Sequence, residues 1–283
     1  APAERIPVMW QIYELQHDVI RDKAAAFDVA VRLFEVSPDD ERIWENLNNF
    51  AEEADDEAHW NRIDGLYAGI QTDAEHDEGW RYEILRRRAL IVEEKLGRDV
   101  DSIALWEKLH AHDPENLEAV RHLEKLYKDN SAFEKLVKLY EFESNLPEFS
   151  DEERIRINLK AAAIYEDILD KQNEAIRIYQ AVLDIDNTRE EAVAALERLY
   201  ASSERWNDLA SLYEDEQTIY SDPSKLNDIR CRLAKVCEEH LKDYERAVEC
   251  YRTVLETDRS DEVIANADGL LKQLSGISSD HAA

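Results

Sequence analysis

Glycine and proline are scarce, six of each in 283 residues. Six scattered glycines form neither a phosphate-binding loop nor a dinucleotide fingerprint. No Gly-x-Ser-x-Gly elbow for a serine nucleophile is present either. Cysteine is limited to Cys231, Cys237 and Cys250. An odd number clustered in one region does not read as a disulfide framework. Cys237 and Cys250 fall at packing positions, so buried thiols are expected there. No apolar run approaches the roughly 18 residues of a membrane span, so no membrane insertion is expected. Residue 1 opens no signal-peptide pattern. The expected compartment is the cytoplasm, or the periplasm if a leader has been removed.

What remains is helix former. Ala, Leu, Glu and Arg dominate, β-branched runs are rare, and 44% of the residues are hydrophobic. That composition suits many helices joined by short turns, and it excludes a disordered acidic tail. The formal net charge is -30. Such a surface repels phosphate backbones and anionic lipids and favours basic partners, so no nucleic-acid partner is expected. The plain reading of the acid is a solvated outer face, with adaptation to a salty environment as a second reading.

The strongest signal is internal repetition. Trp206, Leu209, Leu212 and Tyr213 match Phe133, Leu136, Leu139 and Tyr140, and then Trp60, Ile63, Leu66 and Tyr67. The step is 206 − 133 = 73 and 133 − 60 = 73. Between these strips, Ala175, Tyr179, Val182 and Leu183 match Ala247, Tyr251, Val254 and Leu255, and also Trp106 and Leu109. The earliest copy is weaker. Ala26, Ala30, Leu33 and Pro38 lie 76 residues ahead of the next copy, Ala30 replaces the aromatic residue, and Glu53 to His59 carries a small insertion.

Packing residues recur at i, i+3, i+4 and i+7, which is helical spacing. Ser37-Pro38 and Asp113-Pro114 end one helix and begin another. Asn187-Thr188 and Ser260-Asp261 read as N-caps, and Ser150 to Glu153 as a capping box. About fifteen helices pair into antiparallel hairpins, two to each 73-residue unit. One flavour has a long first helix, about 150–170 or 223–242. The other is compact, about 188–220.

These residues resemble the tetratricopeptide repeat. Val193, Leu196 and Tyr200 fit its first helix, and Trp206, Leu209 and Tyr213 its second. Leu233, Ala234 and Cys237, then Tyr244, Ala247, Tyr251 and Val254, fit the next hairpin. The matching runs from about residue 10 to 274 and is similar to the long arrays of large bacterial tetratricopeptide proteins. The resemblance implies an all-α solenoid of about seven hairpins in a single domain, 1–283. Weaker repeats span about 5–72. Clearer double units span 73–146, 147–220 and 221–274. A capping helix is expected at 260–274 (Val263, Ile264, Leu270, Leu271 and Leu274), with a polar tail at 275–283. No comparable cap precedes the first hairpin, so the chain reads as a fragment of a longer array.

The resemblance also implies a concave face lined by first helices. Inward positions on it are Arg86, Arg121, Lys125, Lys128, Arg156, Arg198 and Lys235. They would take an acidic peptide or a carboxylate terminus by charge-assisted hydrogen bonds, while the acidic exterior suits a basic surface. The competing expectation pairs them with Glu83, Glu118 and Glu191 along their own helices. A chaperone-tail clamp is not expected, because Glu45 stands beside Asn49 at its positions. The recurring rings at 60, 133 and 206, and the tyrosines at 67, 140 and 213, read as core and not as a stacking platform.

No enzyme is expected. Acidic pairs are everywhere, and none stands out. His110, His112, Asp113 and His122 lack the spacing of a metal site and read as exposed turn residues, so no metal and no cofactor is expected. Arg86 to Arg88 is too short a basic run for nucleic acid. Two functions compete: an interaction scaffold holding a protein or peptide partner, and an architectural spacer in a larger assembly.

Overall fold

The computed structural model describes residues 2–70 and 78–257, with isolated positions 264, 268 and 269. The expected capping helix falls almost wholly outside the described residues, as does the polar tail. Among the described residues there are fourteen α-helices and no strand.

The chain divides into two compact units, 1–132 and 133–283. The first holds α1 (Pro2–Glu14), α2 (Lys23–Val36), α3 (Glu41–Ala54), α4 (Glu57–Ile70), α5 (Glu78–Leu90), α6 (Asp99–His112) and α7 (Leu117–Asp129). The second holds α8 (Phe133–Glu143), α9 (Asp151–Asp167), α10 (Gln172–Ile185), α11 (Glu190–Ser202), α12 (Trp206–Ile219), α13 (Pro223–Val236) and α14 (Tyr244–Thr257). Within each unit every helix packs on the one before it and the one after. Odd-numbered helices are first helices of a hairpin and even-numbered ones are second helices. Each hairpin alone leaves one apolar stripe open, and stacking on its neighbour closes it.

The turn inside each hairpin is set by one left-handed residue. These are Arg21, Asp55, Gly97, Ser131, Asp170, Glu204 and Lys242, with φ between 49° and 61°. Their spacing keeps the sequence period: 97 − 21 = 76, 131 − 55 = 76, 170 − 97 = 73, 204 − 131 = 73 and 242 − 170 = 72. In the compact flavour the turn closes by a six-residue ring, Ala132 N–H to Tyr127 O and Arg205 N–H to Tyr200 O, both 2.8 Å. That is the Schellman closure. In the long flavour the ring is one residue wider. Asp22 bonds Gln16, Arg98 bonds Val92, Lys171 bonds Tyr165 and Asp243 bonds Cys237. Three of these four first helices end in a turn of π-helix, at Leu15–Ile20, Ile91–Lys95 and Cys237–Leu241.

The turns between hairpins also repeat. Asp40 N–H bonds Ser37 O, Asn116 bonds Asp113, and Arg189 bonds Asp186. Asp40 and Asn116 cap α3 and α7 through their side chains. Arg189 is the third N-cap and has no side-chain acceptor, so the cap expected at Asn187-Thr188 is replaced. Asp186 instead accepts from the Thr188 N–H and hydroxyl. The Ser150–Glu153 capping box is present. The insertion near residue 55 lengthens α4, which starts at Glu57, three residues ahead of Trp60, whereas α8 and α12 start on the matching Phe133 and Trp206.

The core follows the repeat. Tyr67, Tyr140, Tyr213 and Trp60 are buried, while Phe133 and Trp206 are half-buried. Cys237 is buried, and burial pushes its thiol up. Cys250 is only half-buried, contrary to the expected burial, and its thiol is pushed up to about 11, chiefly by desolvation. All three thiols are free.

Candidate functional site

The expected basic face divides into engaged and unengaged cations. In the first unit Arg86 grips Glu118 of α7 with two prongs, Nε to Oε2 at 2.6 Å and Nη2 to Oε1 at 2.7 Å. These bonds hold the Glu118 carboxyl below its ordinary range. Arg86 also lies 3.6 Å from Glu83. Lys125 donates to Glu93 Oε1 at 3.0 Å, and Lys128 to Glu124 Oε1 at 2.6 Å. In the second unit Arg198 meets Glu166 at 2.8 and 3.1 Å.

Arg121, Arg156 and Lys235 differ. All three are exposed, and no hydrogen bond or ion pair involves them among the described residues. Arg156 is only attracted through space by Glu153, one turn back. Arg121 lies on α7 in the first unit, one turn ahead of Lys125, and so shares its face. Arg156 and Lys235 lie on α9 and α13 of the second unit.

The engaged pairs are mostly not the i, i+3 or i+4 bridges that helical spacing suggested. Their acids sit on the neighbouring first helix, 32 residues away for Arg86–Glu118, Lys125–Glu93 and Arg198–Glu166. Two of them belong to a repeated polar latch. Glu93 Oε2 also accepts from Trp106 Nε1 at 2.8 Å. At 93 + 73 = 166, Glu166 accepts from the Tyr179 hydroxyl at 3.3 Å. At 166 + 72 = 238, Glu238 accepts from the Tyr251 hydroxyl at 3.5 Å. Each latch ties a first helix to the second helix of its own hairpin, and Glu93 and Glu166 also catch a cation on the next first helix. Glu93 is buried. Burial opposes its charge, but the bonds from Lys125, His122 and Trp106 win and hold its carboxyl below the ordinary range. Sequence reasoning assigned Lys125 and Arg198 to a ligand and overlooked the three glutamates that face them or stand in for them.

The histidine cluster is also not a set of free turn residues. His122 stacks on Trp106, centroids 4.0 Å apart and nearly parallel, and its Nδ1 donates to Glu93 Oε2 at 2.7 Å. His112 meets Glu78 at 2.8 Å. His110 is half-buried, and desolvation lowers its pKa. Among the described residues no group of three or more His, Cys, Asp or Glu side chains is placed to hold a metal ion. None of the described helices is long and apolar enough to cross a membrane. The run Arg86 to Arg88 is dispersed. Arg87 bonds Glu83 and lies over the Trp44 ring at 3.8 Å, while Arg88 bonds Asp64 at 2.6 Å.

The second unit holds a cavity of about 340 Å³ between α10, α11 and α12. Leu196 and Tyr200 form part of its wall, and Asp184, Asp208 and Asp215 face into it. Its sign is the opposite of the first-helix cations. Nearby on α12, Glu216 is buried with Oε2 unpartnered, and desolvation raises its pKa.

No family model matches the chain, and no curated protein matches it. Among solved structures it is similar to a tetratricopeptide repeat protein from Parabacteroides merdae, with 16% identity over 94% of this chain and 98% of that one, TM-score 0.35. It is similar also to a thermophilic tetratricopeptide protein of Thermus thermophilus, with 14% identity over 67% and 98%, TM-score 0.29. A third is the C-terminal part of a repeat-containing protein from Cytophaga hutchinsonii, with 12% identity over 92% and 98%, TM-score 0.34. At such values the assignment of the fold rests on this chain's own hairpins, turns and period.

Proposed function

We propose that the chain is a non-enzymatic scaffold that holds an acidic protein or peptide segment on its first-helix face. The observation that carries this reading is the split among the cations. A face serving only to stack hairpins would pair all its charges, as Arg86, Lys125, Lys128 and Arg198 do. Arg121 in the first unit, and Arg156 and Lys235 in the second, are left exposed without a bonded acid. A guanidinium or ammonium kept out of internal pairs meets a carboxylate without first breaking a bond. The three aspartates around the second unit's cavity suit a cationic side chain of a partner, consistent with an exterior that favours basic surfaces.

The spacer reading draws on the engaged cations, which show that much of this face holds neighbouring hairpins together. Affinity capture from a lysate separates the two. Wild type is run beside Arg121→Glu, Arg156→Glu and Lys235→Glu combined, with Lys235→Gln and its equivalents as a milder set. The scaffold reading expects a partner captured by wild type and lost by the still-helical variants. Capture unchanged by the variants would move binding off this face. No capture by either would favour the spacer.

A further inference from the structure

The outward side of α1 is apolar. Val8 is 54% exposed, Ile12 42% and Leu15 48%, and Val19 and Ile20 follow at 72% and 55% on the π-helical turn. The opposite side of the same helix is already satisfied. Tyr13 is buried, and Ile6, Met9 and Trp10 pack on the first unit's core. The helix is therefore apolar on two sides with only one of them covered.

The repeat register shows what such a row does elsewhere. Adding 76, 73 and 72 carries Val8 to Ile84, Ile157 and Ile229, which are 0%, 3% and 0% exposed. The same steps carry Leu15 to Ile91 and, two copies later, to Val236, each 7% exposed. Ile12 reaches Ala161 and Leu233, at 0% and 2%. In those copies a preceding second helix, α4, α8 or α12, packs on the first helix. The row on α1 is thus a helix-receiving surface with no helix on it.

We propose that this row docks a second copy of the chain, α1 against α1, about a two-fold axis. The spacing of Val8, Ile12 and Leu15, four residues and then three, is that of a two-stranded seam, and β-branched Ile12 alternating with Leu15 suits a pair of strands. A two-fold contact must be self-complementary. An apolar row meets that condition, and the residues beside it, Gln11 and Gln16, are uncharged. In a chain of net charge -30, this is a surface where two copies meet without setting acid against acid. A partner of opposite charge would instead be matched by a charged border, which the row lacks. The contact is small, so the dimer is weak, and the like charge of the two bodies makes it weaker at low salt.

Sedimentation velocity on the full chain tests this, over a roughly hundred-fold range of concentration at low and at moderate salt. The expected result is a monomer–dimer equilibrium whose dimer fraction rises with both. Val8→Glu with Leu15→Glu weakens association at least about tenfold with helicity unchanged. Val8→Gln with Leu15→Gln is the milder pair, should the charged one disturb α1. Val100→Glu, at a position 78% exposed elsewhere in the first unit, leaves the dimer intact. A monomer at every concentration and salt overturns the proposal and assigns the row to a different occupant. A dimer that survives both α1 pairs overturns it as well.

Discussion

The first hairpin, α1/α2, and the third, α5/α6, occupy the same place in the repeat 76 residues apart, yet they are held together differently. In the third hairpin Glu93 joins Trp106, His122 and Lys125. In the first, the matching positions are His17 and Ala30, so the latch is absent. Aromatic contacts take its place. Tyr13 meets Trp10 at 5.4 Å, His17 at 5.6 Å and Phe50 at 6.2 Å. The backbone turn is nevertheless the same, a left-handed residue preceded by a π-helical turn. The repeat therefore keeps its main-chain geometry while the side-chain glue is exchanged.

The sharpest break in the comparison is at Val8 and Ile84. Ile84→Ala removes atoms from a fully buried site and costs about 2–5 kcal/mol, whereas Val8→Ala in dilute protein stays within about 0.5 kcal/mol. Urea midpoints measure both, and equal losses would mean that α1 is covered as α5 is. Next comes the latch. Glu93→Ala leaves a buried indole N–H, an imidazole and an ammonium without their acceptor and costs roughly 2–4 kcal/mol. His17→Ala changes stability little. The Glu93 effect depends on pH. Its carboxyl is held below the ordinary value in the folded chain, so its contribution is fully present above that ordinary value. It fades as pH falls through the ordinary value and then through the lower folded one. The gap between wild type and Glu93→Ala must close in acid, and a gap that widens there would remove the charged latch.

The smallest effect concerns the turns. Gly97 and Glu204 both sit in the left-handed region, at φ 58° and 55°. Gly97→Ala costs about 1 kcal/mol although nothing lies within 4 Å of the added carbon, because the cost is torsional. Glu204→Gly gains up to about 1 kcal/mol less the added chain entropy. Thermal midpoints moving in opposite directions would support this.

Much of the architecture was legible because apolar spacing repeats more faithfully than any other feature. The hairpins, the two flavours and even the added residues ahead of Trp60 are written in it. The latch was not legible, since one glutamate among 65 acidic residues offers no contrast. A signal existed in the spacing, as 106 − 93, 179 − 166 and 251 − 238 all equal 13. The π-helical turns have no side-chain signature, and six of the seven left-handed residues are not glycine, so the commonest marker of such a turn was missing. The basic face was half legible. Composition located the cations, but pairing across neighbouring first helices depends on packing that helical spacing alone does not describe.

The constant step of the latch bears on how such a chain changes length. Excising 73 residues between Glu93 and Arg198 places Arg198 where Lys125 stood, so Glu93 would meet a guanidinium in place of an ammonium. A duplication of the same size inserts one more acid together with one more cation. Gain or loss in whole steps therefore leaves no buried carboxylate stranded, whereas a cut of any other size does. Lengthening and shortening are thereby channelled into one quantum, and the ancestral array had a ready path to grow without first inventing a new interface.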